Sequence, residues 1–201
     1  LYWEKKIIGF YGVDNPPAES LDYVSDMLHI MGSFIVSSIR RRNLLRQLER
    51  MSYRDQLTQF GNRYAVDWFV EHEWNGEQIG VVYCDITGLK KVNDEQGHEA
   101  GDRLIIRACE CLAGVFKGYG LYRIGGDEFL VLCLGIEEKD LREHVEKLRM
   151  DMKEHQVTMA VGMIWKEHGP KDIDLLLNES ERLMYEDKDR YYKEHGLKRR
   201  R

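Results

Sequence analysis

The sequence predicts a mixed α/β domain, with an antiparallel hairpin set into an α/β layer and one long helix ahead of it. Three observations carry this. Past Tyr53, strand-length apolar runs alternate with runs of helical period in the order βαββαβα. Two of the strand runs are split only by Gly125 and Gly126, which reads as a hairpin. Ahead of them, apolar residues recur at steps of three and four over more than thirty residues, the spacing of a coiled-coil-like helix.

In chain order, Leu1 to Val13 reads as a strand, stopped by the turn chemistry of Asp14 to Pro17. From Glu19 to about Tyr53 a helical stripe runs through Leu21, Val24, Leu28, Met31 and Ile35, then drifts through Ile39 to Leu44, Leu48 and Met51, a phase slip. Arg40, Arg41, Arg42, Arg46 and Arg50 on its second half read as a solvated face, with an anionic partner as the second reading. Ile79 to Cys84 is an apolar strand rich in β-branched residues. The next helix, from Gly97, repeats Leu104, Ile105, Ala108, Leu112 and Val115. The hairpin strands are Tyr119 to Ile124 and Glu128 to Leu134; a helix from Glu138 to Lys153, a strand from Val157 to Ile164 and a helix from Asp172 to about Tyr192 complete the pattern.

Composition bounds the function. The 201 residues suit one well-buried domain plus an appendage. A formal net charge of -5 argues against a duplex-coating nucleic-acid binder, so any phosphate chemistry is local. Cys84, Cys109, Cys111 and Cys133 sit in apolar runs without metal-ligand spacing and read as buried thiols of a reduced, cytoplasmic chain. No apolar run approaches the roughly 20 residues of a membrane helix. The opening at Leu1, in mid-pattern, reads as a piece of a longer protein.

The chemistry concentrates in "LYRIGGDEFLVL", residues 121–132. Gly-Gly suits a primed two-residue turn with positive φ, and it lets a phosphate approach the backbone at Gly126. Asp127 and Glu128 interrupt an apolar ribbon, and Asp85 ends the strand expected beside the hairpin. Three converging carboxylates call for a hard cation, which points to metal-assisted phosphoryl or nucleotidyl transfer. Taken alone, the same residues also read as an ordinary hairpin whose acids form a solvated edge against strand addition.

With "DITGLKKVNDEQGHEAGDRLI" upstream and "RDQLTQFGNR" at Arg54 to Arg63, "RIGGDEF" resembles the GGDEF domain of bacterial diguanylate cyclases, which join two GTP into cyclic di-GMP. The resemblance covers Ser52 to about Tyr192 and implies a palm-like βαββαβ fold. It implies metal ligation of Mg²⁺ or Mn²⁺ by Asp85, the Ile86 carbonyl, Asp127 and Glu128, with Glu128 also placed to deprotonate the attacking hydroxyl. Lys90 and Lys188 match phosphate-contacting lysines. Asn93 and Asp102 match guanine readers, since an amide donates and accepts along the purine edge while a carboxylate accepts from guanine's N–H groups. His98 opens a helix and reads as structural, with base or ribose contact as the alternative. Asp55 and Thr58 read as turn caps, and Asn62 and Arg63 as partners in a buried polar network.

The resemblance extends less securely to residues 1–18 as the end of a GAF-like sensory domain, with 19–53 as a signalling helix, 54–195 as the cyclase domain and 196–201 as a basic tail. It implies a homodimer, because one domain holds one GTP productively. Two departures stand out. Tyr192 replaces the family's arginine four residues beyond Lys188, with Arg190 as the candidate substitute cation. Phe116 and Tyr119 occupy the positions of the Arg-x-x-Asp product brake, with Lys117 nearby. The rival readings are a GTP-binding GGDEF module with weak or no turnover, and a different nucleotidyl cyclase.

Overall fold

The structure is a computed structural model that describes residues 2–3, 6–7, 9–15, 17–51, 53–170 and 172–196. Contacts divide the chain into two units, Leu1–Ser52 and Tyr53–Arg201.

In the first unit, the expected strand is instead two short ones, β1 (Tyr2–Trp3) and β2 (Lys6–Ile7), paired antiparallel with Tyr2 opposite Ile7. Residues 9–13 carry no strand. Leu1 lies outside the described residues, as do 197–201 of the predicted basic tail. A 3₁₀ turn at Ala18–Ser20 leads into α1 (Leu21–Met51). Arg40, Arg41 and Arg42 are solvated, as the first reading has it, and the side chains of Arg46 and Arg50 lie outside the described residues. The Tyr11 hydroxyl donates to the Leu28 carbonyl.

The second unit is built on five strands. They are β3 (Gly61–Asn62), β4 (Ile79–Ile86), β5 (Gly120–Arg123), β6 (Glu128–Leu134) and β7 (Met159–Lys166), in the spatial order β3-β5-β6-β4-β7. β3 runs parallel to β5, and every other pair is antiparallel. Covering them are α2 (Arg63–His72), α3 (Leu89–Gln96), α4 (His98–Val115), α5 (Glu138–Glu154) and α6 (Asp174–Glu194).

All eight residues of β4 are buried, because helices cover both faces of the central strand. On one face Val82, Cys84, Phe129 and Val131 meet Ala108 and Leu112 of α4 and Leu148 of α5. On the other, Val81, Tyr83, Leu130 and Ile164 meet Phe69 of α2 and Leu176 and Met184 of α6. The four cysteines are free and buried, and burial pushes the Cys84 and Cys133 thiols up to about 12. No helix among the described residues is long and apolar enough to cross a membrane.

Two helices were not anticipated. α2 starts where Asn62 Oδ1 accepts from the Ala65 N–H at 3.1 Å, and it buries Val66 and Phe69, one helical turn apart. α3 is only eight residues, closed at both ends by Gly88 and Gly97 with φ of 87° and 84°. The last strand begins two residues later than its apolar run, because the Val157 N–H still bonds back to the Met152 carbonyl of α5.

Candidate active site

The hairpin departs from the expected primed turn. The first strand ends at Arg123 and the second begins at Glu128, so four residues, 124–127, separate them, and neither Gly125 nor Gly126 has positive φ. The Ile124 and Gly125 N–H groups both turn back to the Glu128 carbonyl, at 3.0 and 3.4 Å. This wider loop needs no left-handed residue; it needs room. A Cβ on Gly125 would stand 2.5 Å from Glu128 Oε2, whereas nothing lies within 4 Å of one on exposed Gly126. That open side is where a ligand can approach the backbone.

The loop is strapped from behind. Arg123 donates from Nη2 to the Gly126 carbonyl at 2.7 Å and from Nη1 to Asp55 Oδ1 at 3.1 Å. The same Asp55 oxygen accepts from the Thr58 N–H at 2.9 Å and hydroxyl at 2.7 Å. The "RDQLT" run therefore does more than cap its own turn. Arg63 corrects the sequence expectation: it is exposed, and only Asn62 is half-buried, serving as the cap of α2.

Asp85 and Glu128 are direct partners across β4 and β6. Opposed residues of an antiparallel pair leave the same face, here the one under α6. One step further, the Ile86 N–H donates to the Asp127 carbonyl at 2.9 Å, which draws Asp127 up to Ile86. Lys188 reaches down from α6, and its Nζ stands 2.6 Å from Asp85 Oδ1, both side chains largely buried. Asp85, Ile86, Asp127, Glu128 and Lys188 are thus brought together as expected.

Sequence reasoning missed Glu181. It shares a face of α6 with Tyr185 and Lys188 through the spacing i, i+4, i+7, the signal by which it was legible. Its carboxylate lines a cavity of about 490 Å³ between α2 and α6 together with Arg63, Tyr83, Glu128 and Asn178. Burial first, then the charges of Asp127, Asp85 and Glu181, push the Glu128 carboxyl above the ordinary glutamate range, with Lys188 opposing. Burial first, then the charges of Glu128 and Glu181, raise Tyr83.

Among the described residues no three acidic, histidine or cysteine side chains already form a metal cage. The donor set still suits a magnesium-like ion. Hard oxygens crowd one sheet edge with surplus negative charge, and Mg²⁺ takes one or two carboxylates and completes its shell with water and phosphate oxygens.

A second cluster lies at the α3–α4 junction. Half-buried Asn93 rests on Gly101, where a Cβ would collide with Asn93 Oδ1, and Asp102 follows in the first turns of α4. Lys90 and His98 stand exposed nearby on α3 and at the start of α4. Arg190 is largely exposed and pairs with Asp187 of its own helix at 3.6 Å. Phe116 is fully buried and Tyr119 half-buried; His144 packs on both rings at 5.6 and 6.1 Å.

Known proteins are similar to this chain in sequence and fold. Residues 52–193 match the family described as "Diguanylate cyclase, GGDEF domain". The chain is 29% identical over 172 residues to the bifunctional diguanylate cyclase/cyclic di-GMP phosphodiesterase MucR of Pseudomonas aeruginosa, a match covering 78% of this chain and 25% of that protein. It is 26% identical over 184 residues to the diguanylate cyclase DgcP of Escherichia coli, covering 81% and 54%. The chain thus spans between a quarter and about half of these curated relatives. Its fold matches the coiled coil and GGDEF domain of DgcB from Caulobacter crescentus, solved with c-di-GMP, at a TM-score of 0.62 and 20% identity over 85% of this chain and 95% of that one. With the signature on its hairpin and the match running the length of the sheet, the chain belongs to the GGDEF domain family.

Proposed function

We propose that this domain is a diguanylate cyclase, condensing two GTP into cyclic di-GMP with release of two pyrophosphates, dependent on Mg²⁺ or Mn²⁺ and active as a homodimer. The observation that carries the reading is the cross-strand pair Asp85–Glu128, with Asp127 beside it and Lys188 above it.

In each transfer a 3′-oxygen bonds to an α-phosphorus, the bond to the departing pyrophosphate breaks, and the hydroxyl proton goes to Glu128. A carboxyl raised by burial and then by its acidic neighbours is suited to receive that proton. Asp85, Asp127 and the Ile86 carbonyl would hold the metal. A metal ion held by these residues would supply positive charge against the negative charge of the phosphates. Lys188 and Lys90 meet the phosphates as point charges, and the bare backbone at Gly126 allows close approach. Asn93 and Asp102 select guanine. Each domain contributes one GTP, so bond formation in both directions needs two copies about a twofold axis.

Incubating the protein with GTP and Mg²⁺ and analysing by mass spectrometry tests this: cyclic di-GMP is expected from the wild type and not from Asp127→Asn. The second reading, a module that binds GTP without turnover, draws on Tyr192 at the cationic position and on Arg190 being tied to Asp187. GTP binding without product would favour it.

A further inference from the structure

We infer that Lys188 is a resident counter-cation for Asp85 that transfers to the nucleotide when metal binds, and so makes metal and nucleotide binding mutually dependent. The inference rests on the metal and substrate assignment above and adds a coupling role to Lys188.

The Lys188 ammonium lies 2.6 Å from Asp85 Oδ1, where the two side chains are 14% and 5% exposed. It is held between a strand buried along its length and a helix packed onto the same sheet face. Around it the charge is lopsided: Asp127, Asp85 and Glu181 all act on the half-buried Glu128 carboxyl, and Lys188 acts against them.

An ammonium at this distance takes up one of the two Asp85 oxygens and its charge repels a second cation, so metal binds Asp85 well only if Nζ withdraws. A withdrawn ammonium with no new partner would be left unpaired at a largely buried position, which is strongly unfavourable. A triphosphate removes that obstacle by supplying anionic oxygens beside the vacated carboxylate. Lysine suits the exchange, because it is a compact point charge on a flexible four-carbon stem and not a rigid fork. Metal alone therefore binds weakly, and metal with nucleotide binds as a set. Linkage requires the effect to be reciprocal.

The test is Mn²⁺ binding to the whole chain, followed by electron paramagnetic resonance, with and without a GTP analogue carrying a methylene between the α- and β-phosphates. In the wild type the analogue should tighten Mn²⁺ binding by roughly tenfold or more. In Lys188→Met, Mn²⁺ without nucleotide should bind about tenfold tighter than in the wild type, and the gain from the analogue should largely disappear. Lys188→Gln, which keeps a donor for Asp85 but no charge, should move the same way and guards against misfolding of the Met variant. Nucleotide-free affinity in both variants that equals or falls below the wild type overturns the inference. The outcome separates from the cyclase reading. Product from the wild type with unchanged Mn²⁺ affinity in the variants sinks the coupling and leaves the cyclase standing; tighter Mn²⁺ binding in the variants with no wild-type product does the reverse.

Discussion

Asp55 pays for its burial with hydrogen bonds. Burial raises its carboxyl, but the Thr58 hydroxyl and N–H and the Arg123 guanidinium outweigh that and hold it below its ordinary 3.8. A depressed carboxyl contributes stability that is present above the unfolded value and is lost as pH falls through the lower folded one. Asp55→Asn should therefore destabilise the fold by about 1 kcal/mol at neutral pH, allowing for the screening of a part-exposed group. The gap should close in acid below 3.8. Urea unfolding at both pH values measures it. A second residue-scale expectation concerns Phe116 and Tyr119. With one ring fully buried and both packed on His144, neither can grip a phosphate or a base edge as an arginine and aspartate do. Inhibition by cyclic di-GMP should be purely competitive with GTP. Noncompetitive inhibition at low-micromolar product would show a separate product site.

At the scale of elements, α6 decides how the site closes. Gly162 of β7 lies directly under it, where a Cβ would run into the Ser180 carbonyl and the Met184 N–H and come within 2.9 Å of the Leu183 carbonyl carbon. These are backbone atoms, so no side-chain rotation relieves the clash. Gly162→Ala should cost about 1–3 kcal/mol by pushing the helix off the sheet. It should also weaken the hold of Lys188 on Asp85, because the lysine stands on the helix that the glycine seats. Denaturation midpoints check the first effect, and nucleotide affinity the second. The outer side of β7 is managed by the same helix: Asp187 accepts from the Val161 N–H at 2.9 Å and pairs with Arg149 of α5 at 3.3 Å. A strand edge closed this way is a poor template for pairing with another chain.

For the molecule as a whole, the proposed homodimer would be the natural point of control. Leu21, Met31, Leu44 and Leu48 of α1 are each close to half exposed or more in the single chain. If two copies must meet to react two GTP molecules, specific activity should rise with protein concentration and then level off. Initial rates over a dilution series, set beside sedimentation of the same samples, test this; a flat specific activity across the monomer–dimer transition would exclude it.

Most of the domain's elements were legible because periodicity is a local property. β4 announced itself as a continuous apolar run, α4 and α5 by their buried stripes, and the acids by interrupting a ribbon that otherwise has no reason to be polar. Residue order also placed Asp85 beside the hairpin, whereas the guanine-reading role of Asn93 and Asp102 came only from the resemblance to the GGDEF family. Tertiary structure decided the rest. Short α3 has little periodicity to display, and its ends are set by two glycines with positive φ. The hairpin loop has four residues because Arg123 and Asp55, 68 positions apart, fasten it in a geometry that no local propensity encodes. Glu181 and Lys188 joined the site only when α6 settled on β7 at Gly162. Sequence determines which side chains are present and which face of each element they occupy; which charges face one another, and so which stay protonated or paired, depends on the distance between elements that packing alone sets.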